Sequence, residues 1–441
     1  MAIIPQKQLF SWKEIENLGD LERLKLVFDN LPDEQLMRTL ELERDKGRDD
    51  YPVRAVWNSI LAGVVFQHPS AESLRRELLR NGQLRCLCGF DLVKDKAAVP
   101  PPWAYTRFLK KLLKHGKLIE QMFDNLVEEL RCLLPGFGRT LAIDGKAIPT
   151  HALARKKDEE PKKPDGRRDT DADWGKKTYK GKRKDGSVWE KVKSWFGYKL
   201  HLVVDANYEL PVAFEVTRAS RSEVPVAHEL LGQLGKGHEE LLEGCRYFLG
   251  DKGLDDGKLI TRLWDSHGIK PVIAIRKLWK DGEETRRVSG TRNVVYNYKG
   301  EVFCCCMKTG ELHVMAYGGF EKDRGTLKYL CPARHYGMEC VSCGNCAVHG
   351  AVRIKLEEER RVFTPLARSS YVFERLYKKR TAVERVNSRL DVSFGFENHF
   401  IRGLKKMKFR CGLALIVMLS MAVGRVKGKQ EEKLRSLVQS A

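Results

Sequence analysis

The sequence is short of several things that would place it outside the ordinary globular class. Twelve cysteines in 441 residues are too sparse for a disulfide-stapled scaffold, and three of them (Cys304, Cys305 and Cys306) are adjacent, a spacing that suits bridging poorly. Reduced thiols and a cytoplasmic location are the expectation. Sixteen prolines and 37 glycines exclude a collagen-like chain, and 42% hydrophobic residues exclude global disorder. The longest apolar run, Leu413 to Val423, is interrupted by Ser420 and lies between Arg410 and Arg425. It falls short of the roughly 20 residues a membrane span needs. The segment from Met1 to Asp20 lacks the apolar core of a secretory signal. Acids are also in deficit. There are 59 Asp and Glu against 80 Lys and Arg, so the formal charge is 80 − 59 = +21. That excess points to a polyanionic partner, with nucleic acid first in line.

What is present changes character along the chain. Residues 1–135 read as a helical domain. Ser11 is placed to cap a helix through Trp12, Ile15, Leu18, Leu21 and Leu24, and Ser70 to cap another through Leu74, Leu78 and Leu79. Pro100, Pro101 and Pro102 break the pattern before Tyr105, Phe108, Leu109, Leu112 and Leu113 restart it. Residues 136–280 read as strands alternating with helices. Thr140–Asp144 predicts a buried strand followed by a turn, and Tyr198–Val204 and Leu210–Val216 predict two strands joined at Asp205. Tyr247–Asp251 and Pro271–Ile275 predict two more. The charged stretch 155–193 within this region reads as a loop. Residues 281–368 read as a β-rich, cysteine-containing insertion, and 369–441 as two long helices, the first from about Ser370 to Leu390. The fold class expected is α/β, a mixed sheet flanked by helices.

Asp144 and Asp251 each end a buried strand, where a fixed backbone can deliver a carboxylate to a cleft. Two carboxylates so placed suit a hard divalent cation such as Mg2+. Lys146 and Lys252 follow them and are placed to meet a phosphate. A strand-end aspartate also serves to cap a turn, and Asp205 fits the same description. Later in the chain Tyr377, Arg380, Glu384 and Asp391 stand at i, i+3, i+7 and i+14, one stripe of a helix. Leu376, Val383, Val386 and Leu390 form an apolar stripe beside it. A solvated face with i, i+4 ion pairs gives the same pattern.

These residues carry a resemblance. Leu141-Ala-Ile-Asp-Gly-Lys146, Phe248-Leu-Gly-Asp-Lys-Gly253 and Tyr377-x2-Arg380-x3-Glu384 resemble the three signature segments of insertion-sequence transposases of the DDE superfamily, whose catalytic domain has an RNase H-like fold. The signature's following lysine is Asp391 here, with Arg385 and Arg389 nearby in sequence. The resemblance implies that Asp144, Asp251 and Glu384 ligate Mg2+ (or Mn2+), with Tyr377, Arg380, Lys146 and Lys252 supporting them or contacting phosphate. It implies DNA cleavage by water at the element's ends, then attack of the freed 3′-hydroxyl on target DNA. The partners implied are double-stranded DNA, as terminal inverted repeats and as target, and a second copy of the chain as a homodimer. Asp205 is then a turn residue. A metal-dependent nuclease without strand transfer, or an inactive or domesticated DNA-binding protein, are the rival readings.

Two further features remain. Cys331, Cys340, Cys343 and Cys346 offer either a structural Zn2+ site of irregular spacing or reduced thiols packed in a β insertion, and Cys304–Cys306 read as strand packing. Between Arg375 and Arg410 there are eleven Lys and Arg against three acids. Within that stretch Lys405, Lys406, Lys408 and Arg410 are the expected DNA-binding cluster. Trp174, Tyr179 and Trp189 among the lysines of 155–193 are placed to stack on bases or to sit in a solvated insertion.

Overall fold

The computed structural model describes residues 19–436 apart from 46–49, 92, 155–168, 184, 342–345, 347 and 349. Among the described residues seven α-helices come first: α1 (Glu22–Asn30), α2 (Glu34–Arg44), α3 (Val53–Val65), α4 (Ala71–Arg80), α5 (Gly82–Cys88), α6 (Pro102–Leu112) and α7 (Gly116–Leu133). Strands β1 (Thr140–Pro149), β2 (Asp173–Lys182), β3 (Val188–Asp205) and β4 (Leu210–Arg218) follow. Then come α8 (Glu223–Gly237), α9 (Glu239–Gly244), β5 (Tyr247–Gly250), α10 (Gly257–Thr261) and β6 (Lys270–Ile273). Next are β7 (Thr285–Arg287), β8 (Val294–Asn297), β9 (Val302–Cys305), β10 (Leu312–Val314), β11 (Ala316–Glu321) and β12 (Thr326–Leu330). The chain ends in α11 (Pro332–Tyr336), β13 (Ala351–Lys355), α12 (Tyr371–Lys378), α13 (Ala382–Phe394) and α14 (Leu404–Lys427). Contacts divide it into two units, one of Met1–Leu134, Ile148–Tyr198 and Ser388–Ala441, the other of Pro135–Ala147 and Lys199–Asn387.

In the first unit the capping residues work as their chemistry dictates. Ser70 Oγ accepts from the Ser73 amide at 3.1 Å to start α4, Asn81 does the same for α5, and Pro102 opens α6 where no amide donor is needed. The Ser11 helix lies mostly outside the described residues, and α1 begins at Glu22. Helix α14 is the centre of this unit, packing on α7, α1 and α3. From Cys411 to Val426 every residue is buried, so the helix is apolar all round. It is long and apolar enough to cross a membrane, yet 89% of its apolar window lies inside the fold.

The stretch expected to be a loop contains, among its described residues, a long hairpin. Strand β2 pairs antiparallel with the first half of β3, from Asp173 opposite Gly197 to Lys182 opposite Val188. Its charged residues alternate with Trp174, Thr178, Trp189 and Val192, a two-sided polar ladder that lacks the apolar run by which buried strands are recognised. Near its base Asp169 is a buried anchor. One of its carboxylate oxygens, Oδ2, accepts from Tyr198 Oη at 2.5 Å, Thr150 Oγ1 at 2.7 Å and the Gly403 amide at 3.0 Å.

In the second unit the sheet runs β3-β1-β5-β6, with β4 also on β3. β5 is parallel to both β1 and β6. Strand β1 continues through Asp144 to Pro149 instead of turning after it. Helix α8 packs on β4, and α12 packs on β5 and β6. The helix expected over 370–390 is broken: α12 and α13 are separated by a 3-10 turn at Lys379–Thr381. Asp205 is the turn residue expected, fully buried and accepting the amides of Gly138, Asn207 and Tyr208 at 2.9, 2.9 and 2.6 Å. Burial pushes its carboxyl up against those bonds. Residues 285–355 form two small sheets, β10-β9-β8-β7 and β11-β12-β13. They share a core that includes Val294, Tyr296, Val302, Leu327, Tyr329 and Phe363.

Burial alone would raise the Asp169 carboxyl, but the bonds from Tyr198, Gly403 and Thr150 outweigh it and hold it below its ordinary 3.8. The stability it contributes is fully present above that value and is lost as pH falls through the lower folded one. Asp169→Asn should therefore cost about 1.5–3 kcal/mol at pH 7. The gap from the parent chain should shrink on acidification below the ordinary carboxylate range, as read from urea midpoints at each pH.

Candidate active site

The site begins with a register. In the parallel pair of β1 and β5, Thr140 lies opposite Tyr247, Leu141 opposite Phe248 and Ala142 opposite Leu249. Two residues further along, Asp144 and Asp251 fall level with one another on the same face. Leu141, Ala142, Ile143, Phe248 and Leu249 are all buried, so the backbone that presents both carboxylates is fixed by the core. Asp251 Oδ1 also accepts the Gly253 amide at 2.7 Å, which holds the turn leaving β5.

A third carboxylate completes the group. Glu223 is the first residue of α8, just after β4. One oxygen each from Asp144, Glu223 and Asp251 lie within 4.8 Å of one another, and all three residues are half-buried. Two glycines make the approach possible. A Cβ at Gly145 would stand 2.7 Å from Glu223 Oε1, and one at Gly253 would stand 2.9 Å from Asp251 Oδ1 and 3.2 Å from Glu223 Oε2. Each glycine shortly follows an aspartate of the site, and the Glu223 carboxylate occupies the space their missing side chains leave.

Cations border this group. Lys199 Nζ lies 3.6 Å from Glu223 Oε1, and an Arg380 guanidinium nitrogen lies 4.0 Å from Asp144 Oδ2. The other end of Arg380 holds Glu384 Oε1 at 2.9 Å. Burial works against the Arg380 charge, but Glu384, Tyr377 and Asp144 together keep its pKa raised. Tyr377 lies beneath the guanidinium, with 5.8 Å to its ring centroid. Burial pushes its phenol up, Arg380 opposes this, and Asp251 adds to it. The break at Lys379–Thr381 places Arg380 in the 3-10 turn between the two helices.

Of the residues expected from sequence, Asp144 and Asp251 come together, and Arg380 ties Glu384 to Asp144. The Glu384 side chain is 51% exposed. Lys146 is half-buried on β1 and Lys252 is exposed. Arg385 donates to Glu209 at 2.8 Å, and the buried Arg389 donates to the Leu434 carbonyl at 2.8 Å. In the first unit Lys405 and Lys406 are exposed at the start of α14. Lys408 pairs with Glu120 at 3.0 Å, and Arg410 donates to the carbonyls of Gly395, Phe396 and Asn398. Cys343 lies outside the described residues. Glu223 was missed. It sits in the polar run Arg218-Ala-Ser-Arg-Ser-Glu223, and only its position in the first turn after a sheet strand marks it.

The donor set is anionic and all oxygen, which fits Mg2+ or Mn2+ better than a soft metal. A family model described as Transposase DDE domain matches residues 135–420, a span that contains all four acids. The chain belongs to the DDE transposase family. No curated protein and no solved structure matches it. The family fold is RNase H-like, in keeping with the mixed sheet and its flanking helices, and its members are DNA-acting enzymes that use divalent metals.

Gly145→Ala should displace the Glu223 carboxylate while leaving the buried strand intact. Mn2+ affinity, read by titration calorimetry, should fall about tenfold or more, as for a lost supporting contact. Glu223→Gln should weaken binding in the same direction, and thermal unfolding of both variants in metal-free buffer should match the parent.

Proposed function

We propose that the chain is a transposase that cuts DNA at the ends of a mobile element and joins the freed ends to target DNA. Asp144, Asp251 and Glu384 are its catalytic carboxylates, and Glu223 is a further acid of the same site. The observation that carries this reading is the convergence of Asp144, Asp251 and Glu223 within 4.8 Å in a chain of this family. Bound divalent magnesium or manganese would supply Lewis-acid activation of the nucleophile and stabilisation of the leaving oxygen.

The residues of the chain set the rest. Asp144 and Asp251 offer carboxylate oxygens on one face of the sheet, and Glu223 adds a third beside them. Arg380 neutralises part of their charge and fixes Glu384, and Tyr377 supports Arg380 from below. Lys146 and Lys252 follow the two aspartates and are positioned to hold phosphate oxygens. In the first step water attacks the phosphodiester and the 3′ oxygen of the element strand leaves, taking a proton to become a hydroxyl. In the second that 3′-hydroxyl attacks a target phosphodiester, its proton passes to solvent and the target's 3′ oxygen leaves. One bond to phosphorus forms and one breaks in each step.

The helical segment 1–135 and a second copy of the chain would recognise the terminal inverted repeats. Lys405, Lys406 and the exposed Lys176, Lys177, Lys191 and Lys193 of the β2–β3 hairpin would hold backbone phosphates, with Trp174 and Trp189 exposed among them for stacking.

The test is strand transfer with a pre-cut element end. Joined product should form with Mg2+, and Asp144→Ala or Glu384→Gln should lower it by about three orders of magnitude or more without loss of DNA binding. Hydrolysis without joining would support a nuclease instead, and unchanged cleavage in Asp144→Ala would refute the site. Lys405→Ala and Lys406→Ala should each reduce the slope of log affinity against log salt by about one.

A further inference from the structure

The cysteines of the β-rich segment gather in a way that their sequence spacing shows only in part. Cys304 lies on β9 in the four-stranded sheet, and Cys331 directly follows β12 in the three-stranded sheet and precedes α11. Cys340 and Cys346 belong to the stretch between α11 and β13. All four are free thiols lining one cavity of about 20 Å3, room for roughly one water-sized sphere. His313, opposite Cys304 in the β9–β10 register, lines it as well. Cys304, Cys331 and Cys346 are buried. Asn293, itself buried, donates its amide to the Cys346 sulfur at 3.3 Å.

We propose that Cys304, Cys331, Cys340 and Cys346 form a structural zinc site that ties the two small sheets and the α11–β13 connection together. Four thiolates from three separate segments are the donor set of a closed tetrahedral zinc centre, with sulfurs about 2.3 Å from the metal. Coordination would release each thiol proton to solvent. Among the described residues no three of these thiols meet within the 4.8 Å reached by the carboxylates, so zinc binding would shorten the distances between the sulfurs. The short strands around the site are of a size for which a metal staple contributes folding energy directly. The proposal replaces the sequence-based set in one position, with Cys304 for Cys343, and it is independent of the transposase chemistry.

The full chain purified under reducing conditions without chelator should carry about one equivalent of zinc by elemental analysis. Cys331→Ser and Cys304→Ser should lose it, and Cys132→Ser, an exposed thiol at the end of α7, should keep it. A serine variant that fails to fold would also lose zinc, so the parent chain supplies a second readout. Cobalt exchanged into it should give thiolate-to-metal absorption and tetrahedral bands, a signature that the carboxylate site cannot produce. A parent chain without stoichiometric zinc and without those bands would overturn the proposal. So would zinc retained in Cys304→Ser but lost in Cys343→Ser.

Discussion

Three carboxylate oxygens within 4.8 Å of one another repel, and the second unit is arranged to hold them there. At an effective dielectric near 20 each pair costs about 3.5 kcal/mol before solvent screening. Lys199 at 3.6 Å and Arg380 at 4.0 Å return attractions of similar size, but Arg380 also serves Glu384. Lys199 and Arg380 thus offset part of that repulsion. The fold holds the rest: Asp144 lies on, and Asp251 directly follows, a strand whose apolar residues are buried, and Glu223 begins a helix, where the aligned amides favour negative charge. A set of carboxylates so gathered fits divalent cations.

That constraint explains the local sequence. Asp144-Gly-Lys and Asp251-Lys-Gly each combine an acid, a missing side chain and a cation. The glycines admit Glu223, as their crowded Cβ positions show. Arg380 lies in the 3-10 turn Lys379–Thr381, and from there it reaches Asp144 on one side and Glu384, four residues on, on the other.

Sequence patterns reached the parts of this arrangement that are local. Asp144 and Asp251 were legible as candidates because each ends a short apolar run, a description Asp205 shares, and the resemblance to the family's signature segments singled them out; the Tyr-Arg-Glu stripe was legible because helical spacing brings its members together. Glu223 was not legible, because its role depends on where β4 delivers the chain. The hairpin of β2 and β3 was hidden for a related reason. Its alternating charges bury almost nothing, so no apolar signal separates it from a loop. Cys304 was read as strand packing because its partners are Cys331, Cys340 and Cys346, which only the meeting of two sheets brings near. In each case the missing information was tertiary: which segments face one another once the core has formed.

The last helix carries this point furthest. Its composition passes for a membrane span, and its sequence alone gives no polar face by which to orient it. What decides its place is that α1, α3 and α7 all need an apolar partner, and α14 supplies one on every side. The first unit is therefore built from the two ends of the chain, with contacts that span several hundred residues in sequence. The entropic cost of closing so long a loop grows only with the logarithm of its length, so the buried apolar contacts of α14 offset it. The second unit, whose principal register pairs Asp144's strand with Asp251's, closes a shorter loop. Its site is thus defined by contacts internal to Pro135–Ala147 and Lys199–Asn387.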